Sequence, residues 1–280
     1  MKSGTTSLHH YLNSHPDIFM CEPKEPQYFV DTPHRPKALE WYLGLFEGAG
    51  KERYLGESST FYTMIPQFTG TAEKIHAFNP DARLLYIMRD PVDRIVSHYW
   101  HMVRQVEEWR PFAQVLEEDG TYLAITDYAM QMRPYLDLFG HERVMTLTFE
   151  EMTANPLSSV NAIFEWLGLP PLDSLSLAGQ AFNARPESLR GPRGAAILHR
   201  VRRSGWWDRV APFCPSPIRK LGRRITERRV QPNEYDFGEV IAALRPTLAE
   251  RVADLSALLG RDFPEWSRTL DGAVGRRAAG

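Results

Sequence analysis

The residues Lys2-Ser3-Gly4-Thr5-Thr6-Ser7-Leu8 put a lysine, one glycine and a run of hydroxyls directly ahead of a helical pattern marked by Leu8, Tyr11 and Leu12. At the start of a helix the first backbone N–H groups have no intrahelical acceptor, and they suit a phosphate or sulfate. Gly4 would let the backbone approach such an anion closely, the hydroxyls of Thr5, Thr6 and Ser7 would donate further bonds, and Lys2 would add a mobile point charge. The same heptapeptide also reads as an ordinary capped helix. A second stretch favours the anion. Leu84 to Met88 is an apolar run of strand length, followed by Arg89-Asp90-Pro91-Val92-Asp93-Arg94-Ile95-Val96-Ser97. Asp90 is expected to cap a helix and Pro91 to occupy its first turn, where a missing N–H is harmless. Arg89 then stands at the carboxyl end of a strand, where open α/β sheets bind their ligands, and Ser97 lies about two turns into the following helix. A structural pairing of Arg89 with Asp93 is the alternative.

Together these stretches resemble the 5'-phosphosulfate loop and the 3'-phosphate motif of the sulfotransferases that use 3'-phosphoadenosine 5'-phosphosulfate (PAPS). The family's first motif is typically Pro-Lys-x-Gly-Thr-Thr-x-Leu, matched here from Lys2 to Leu8. Its second is a strand ending in Arg-Asp-Pro with a serine eight residues after the arginine, matched by Arg89 and Ser97. The resemblance implies Lys2, Ser3, Gly4, Thr5, Thr6, Ser7, Arg89 and Ser97 as donor-binding residues, with Lys2 also acting on the leaving oxygen. Between the two motifs, Pro23-Lys24-Glu25-Pro26-Gln27-Tyr28-Phe29 is similar to a segment of heparan-sulfate-type and bacterial members in which a glutamate shortly before an aromatic pair is the general base. That implies Glu25 as the catalytic carboxylate; a solvated loop glutamate is the bland alternative. Where many relatives carry histidine, this chain has Gln27, which puts more weight on Glu25.

Leu55 to Tyr62 resembles the family's Glu-Lys-(Ser/Thr)-x-x-Tyr segment lining the acceptor cleft, with Ser58 in place of the lysine. Glu57 either orients the substrate or bonds to the backbone of a neighbouring loop. A basic glycine-containing loop that closes over the donor in the family has its nearest match at Arg193-Gly194, with Arg190 second. From 185 to 229 arginines cluster around Trp206, Trp207 and Phe213, which suits a donor lid combined with an acceptor rim; nucleic-acid contact and a solvated helix anchored by its tryptophans compete.

These residues need a scaffold in which strands and helices alternate. Helical patterns are expected at Trp41 to Phe46, Thr71 to Phe78, Pro91 to about 107, Tyr128 to Phe139, Pro156 to Leu167 and Ile241 to Leu259, and strands at Tyr54 to Gly56, Leu84 to Met88 and Val144 to Thr148. Such alternation implies an α/β fold with a parallel sheet covered by helices. The resemblance sharpens this to a P-loop-like central parallel sheet, one domain over 1–267, with a frayed tail at 268–280. In the family a strand precedes the lysine of the first motif, so the expectation is that this chain starts inside the domain, with that strand missing and any upstream anchor out of view.

With 280 residues the chain can build one large domain, and a net charge of −2 gives no global pull toward nucleic acid or acidic membranes. Two isolated cysteines, Cys21 and Cys214, argue against a disulfide framework, and nine histidines form no ligand-spaced cluster, so no metal is expected. No apolar run of membrane-spanning length is present. The bacterial character of the Glu25 segment implies a cytoplasmic protein, or the Golgi lumen had an upstream anchor been lost. The implied reaction is sulfuryl transfer from PAPS to a hydroxyl or amine of a carbohydrate or small-molecule acceptor, leaving adenosine 3',5'-bisphosphate. A P-loop kinase is the rival enzyme, but there the lysine follows the glycine-rich loop, whereas Lys2 precedes Gly4. A nucleotide-binding relative without catalysis is the other alternative.

Overall fold

Two parallel strand pairs carry the residues singled out above. In the computed structural model, β1 (Ile18–Met20) runs beside β2 (Tyr54–Gly56), and β3 (Leu84–Met88) beside β4 (Val144–Thr148), with Leu84 opposite Val144 and Met88 opposite Thr148. The structure describes residues 3–31, 38–105, 108, 110–175, 189–192, 227–230 and 237–271, the two segments 189–192 and 227–230 by their backbone alone. Lys2, Arg193, Gly194 and most of the basic 185–229 stretch lie outside the described residues. Within that stretch, β5 (Leu189–Pro192) pairs antiparallel with β6 (Glu227–Val230), and β5 runs against α4 (Pro91–Gln105). Arg190 therefore sits on a strand alongside the helix that carries Ser97.

The helices follow the apolar spacing. α1 (Thr5–Leu12) buries Leu8, Tyr11 and Leu12 against β1 and α9 (Pro156–Trp166), whose Val160, Ile163 and Phe164 are completely enclosed. α2 (Leu39–Gly44), α3 (Thr71–Phe78) and α7 (Tyr128–Phe139) share a second core with the end of α10 (Gly238–Leu259), closed by Phe263 and Trp266 stacked at 4.2 Å. A third core joins α4 to α5 (Phe112–Glu118), α6 (Thr121–Ala124) and the start of α10. Ends are fixed locally. Asp127 caps α7 by accepting from the Met130 N–H, and Thr148 with Glu151 forms a capping box on α8 (Phe149–Ala154).

Most expected elements stand within two or three residues of their bounds, α10 beginning at Gly238 and α4 ending at Gln105. The tail expected from 268 onward is corrected at its start. Ser267–Leu270 is a helix, α11, with Thr269 fully buried, because its hydroxyl and N–H bond to Asp90 on the far side of the sequence. Residues 272–280 lie outside the described set.

Candidate active site

Gly4 caps α1 in the left-handed region, at φ +86°, a conformation only glycine adopts without strain. Space demands glycine too: a Cβ there would stand 2.7 Å from Phe149 Cδ2 and 2.8 Å from Met152 Cε. Ser3 is buried, and Thr5, Thr6 and Ser7 are partly exposed on the first turn of the helix. The same Phe149 ring lies under the guanidinium of Arg89, 4.7 Å from its centroid. The two motifs thus share one aromatic floor although more than eighty residues separate them in sequence.

Arg89 is held at both backbone and side chain. Its carbonyl accepts from Tyr128 Oη at 2.7 Å, and its Nη2 stands 3.8 Å from Asp93 Oδ2, so the pairing raised as an alternative does exist as a long contact. Asp90 caps α4 as expected, accepting from the Val92 N–H at 2.9 Å. It also accepts from the Thr269 hydroxyl at 2.8 Å and the Thr269 N–H at 3.2 Å, while Glu150 accepts from the Asp90 N–H and from the Trp266 indole. Burial pushes the carboxyls of Asp90 and Glu150 above their ordinary values, and in both the hydrogen bonds oppose that rise. Arg268 completes the set with an ion pair to Asp93. Ser97 is half-buried on α4.

Glu25 lies on the loop after β1 and is itself in the left-handed region, at φ +63°, as is Gln27 at φ +51°. Non-glycine residues hold such angles only where surrounding bonds impose them. Here they do: Ser59 Oγ accepts from the Gln27 N–H at 2.9 Å, and Tyr62 Oη accepts from the Tyr28 N–H at 3.0 Å. Both hydroxyls donate in turn to Glu57, at 2.7 and 2.6 Å, and Tyr42 Oη donates to it at 3.1 Å. Of the two roles open for Glu57, these contacts match bonding to a neighbouring loop, through hydroxyls rather than directly. Burial, then the Glu57 charge, push the Tyr42 and Tyr62 phenols far above their ordinary values, so they stay protonated donors.

The Glu25 carboxylate is half-buried and held at both oxygens, Oε1 by Lys24 Nζ at 2.6 Å and Oε2 by Thr60 Oγ1 at 3.0 Å. Burial alone would raise its pKa, but the Lys24 bond and charge and the Thr60 bond outweigh it and hold the carboxyl below the usual range. Buried His9 of α1 joins the acceptor segment through Nδ1 to Ser58 Oγ at 3.0 Å, and burial together with Lys24 lowers its pKa to about 4. Sequence reasoning missed His9, Lys24, Thr60 and Phe149 as parts of this site. The Ser-Ser-Thr run after Glu57 carried a signal for Thr60, and Phe149-Glu150-Glu151-Met152 after the strand resembles the family's usual sequence there without marking a site role; nothing local marked His9.

The sulfotransferase domain family matches residues 1–178, and the chain belongs to that family. Over 102 residues it is 36% identical to the membrane-associated sulfotransferase kil1 of Dictyostelium discoideum, covering 35% of this chain and 21% of that protein. Heparan sulfate glucosamine 3-O-sulfotransferase 3B1 of mouse is 25% identical over 177 residues, 60% of this chain and 44% of that enzyme. The chain thus spans less than half the length of these curated relatives. A solved sulfotransferase from Alicyclobacillus acidocaldarius superposes with a TM-score of 0.65 at 27% identity, covering 94% of each chain. The fold is the α/β sulfotransferase fold. Among the described residues no helix is long and apolar enough to cross a membrane.

Proposed function

We propose that the protein transfers a sulfuryl group from PAPS to a hydroxyl or amine of a carbohydrate or small-molecule acceptor. The observation that carries this reading is the shared Phe149 floor, which sets the Gly4 helix start and the Arg89 guanidinium side by side, as a donor with a 5'-phosphosulfate and a 3'-phosphate requires. The donor supplies a sulfuryl group on a phosphate leaving oxygen. The amides of Thr5, Thr6 and Ser7 stabilise the charge that grows on that oxygen, a role the reading gives to Lys2 as well, while Arg89 and Ser97 hold the 3'-phosphate; Arg190, Arg193 and Gly194 are assigned to the donor loop by their sequence pattern. Glu25 accepts the acceptor's proton as its oxygen or nitrogen bonds to sulfur. Most of the acceleration comes from positioning and fixed charge, by analogy with phosphoryl transfer, and no metal is called for.

The carbohydrate class rests on the resemblance of the Glu25 segment to heparan-sulfate-type members, together with the 25% identity over 177 residues to the mouse heparan sulfate 3-O-sulfotransferase. Ser58, where the relatives' segment carries lysine, suits an acceptor of lower negative charge. The buried free thiol of Cys21 suits work in a reducing compartment, the cytoplasm. The test is to incubate the protein with PAPS and a panel of glucosamine oligosaccharides and small alcohols, following release of adenosine 3',5'-bisphosphate. Acceptor-dependent release supports the reading; magnesium-dependent ATP turnover in its place would hand the site to a kinase.

A further inference from the structure

We infer that Lys24 is a latch on Glu25: without the donor it holds the carboxylate ionised and immobile, and when the donor arrives it shifts its ammonium to the sulfuryl oxygens, which frees Glu25 to take a proton. The inference rests on the reading of Glu25 as the base. Its starting point is that both carboxylate oxygens are occupied, by Lys24 Nζ at 2.6 Å and Thr60 Oγ1 at 3.0 Å. A general base must present a lone pair to the acceptor's proton, and it works best when its pKa lies near the working pH. A carboxylate gripped by an ammonium keeps a lone pair on each oxygen, but the ion pair makes it a weaker base.

For Glu25 to become a stronger base one of the two partners has to yield, and the surroundings decide which. The backbone of Glu25 and Gln27 is pinned in left-handed angles through Ser59 and Tyr62, both anchored on Glu57, so the base stays in place. Thr60 sits within the 3-10 turn Thr60–Thr63 and is buried. Lys24 has a flexible four-carbon stem ending in a compact point charge. Among the described residues, charged and titratable groups near the pair come from three places. From α1 comes His9, which has its pKa near 4 and is neutral at physiological pH; from the same loop comes Glu22, largely exposed and 4.0 Å from His9 Nε2. Across the cleft Glu57 is engaged by Tyr42, Ser59 and Tyr62. His9 of α1 bonds to Ser58, two residues before the Thr60 that bonds to Glu25, so the Lys24–Glu25 pair stands beside α1, the helix whose first turn forms the anion cradle. An anionic sulfuryl group there competes with Glu25 for the same cation. Once Lys24 leaves, burial, already the largest single influence on Glu25, is opposed by less, and the carboxyl rises. In the transfer, the acceptor atom bonds to sulfur, the bond from sulfur to the phosphate oxygen breaks with its electron pair leaving on the bisphosphate, and the acceptor's proton passes to Glu25 Oε1.

The test is a carbon-13 NMR titration of the Glu25 carboxylate, identified by its loss in Glu25→Gln, in the free protein, with adenosine 3',5'-bisphosphate, and with PAPS but no acceptor. The latch predicts a titration below the usual carboxylate range in the free protein, an upward displacement with PAPS, and a smaller one with the bisphosphate, which lacks the sulfuryl group. Lys24→Met should show the raised value without any donor and lose about a hundredfold in kcat, with bisphosphate affinity held. Lys24→Arg should keep the donor response. A Glu25 titration that ignores PAPS, or that is the same in Lys24→Met, overturns the latch. Should Glu25→Gln transfer sulfuryl groups as well as the parent does, it is the reading of Glu25 that fails instead; an inactive Glu25→Gln beside an unresponsive carboxylate sinks the latch alone.

Discussion

Glu25 is strained at its backbone, half-buried and tied at both oxygens. Replacing it with glutamine keeps the shape and removes the base, so transfer should fall by about two to four orders of magnitude. Binding of adenosine 3',5'-bisphosphate, followed by calorimetry, should stay near that of the parent. Arg89→Ala removes a charged partner for one phosphate only, and should weaken the bisphosphate by roughly ten- to a hundredfold while leaving AMP nearly unaffected. Equal losses for both nucleotides would undo the role given to Arg89. His9 contributes at the same scale. Its folded pKa of about 4 lies below the ordinary 6.5, so the unfolded chain takes up its proton first as pH falls. The stability from neutral His9 is complete above about pH 6.5 and is lost progressively toward pH 4. The melting temperature should drop across that window, and His9→Gln should flatten the drop; an unchanged slope would show that another group governs it.

Glu57 works through the loop it supports. Its carboxylate gathers Tyr42, Ser59 and Tyr62, and two of those hydroxyls accept from the backbone beside Glu25. Glu57→Ala leaves three buried or half-buried hydroxyls without this acceptor, and should cost about 1–3 kcal/mol in denaturant unfolding. It should also lower kcat with little change in donor affinity. The segment at the end of the fold, Trp266 to Thr269, plays a matching part for Arg89, since Thr269 bonds to Asp90 and Arg268 pairs with Asp93. Thr269→Val should destabilise by about 1 kcal/mol and weaken bisphosphate binding more than AMP binding. These two supports were unequally legible in the sequence. The β3–Arg89–α4 unit could be read directly, because an apolar run, a cap and a proline are local signals. The docking of Thr269 could not, because it spans 179 residues and serine- and threonine-containing chain ends look alike wherever they pack. The frayed tail expected from 268 was wrong at its first residues for that reason.

At the scale of the whole molecule, alternating strands and helices announced the α/β class, and strands β2, β3 and β4 stand where the apolar runs put them. Short pieces such as β1 and α8 gave too few residues for a period to register. The cradle and the arginine were recognisable by spacing, whereas their meeting over Phe149 is a product of packing that no local pattern encodes. The central claim is that this meeting builds a site for a nucleotide carrying phosphates at both the 3' and 5' positions. Calorimetric titration of the protein with adenosine 3',5'-bisphosphate, beside AMP and ATP, tests it most directly. The bisphosphate should bind at least about tenfold tighter than either control, since one charge-assisted phosphate contact supplies that much. Equal affinity for the bisphosphate and AMP, or a preference for ATP, would contradict it.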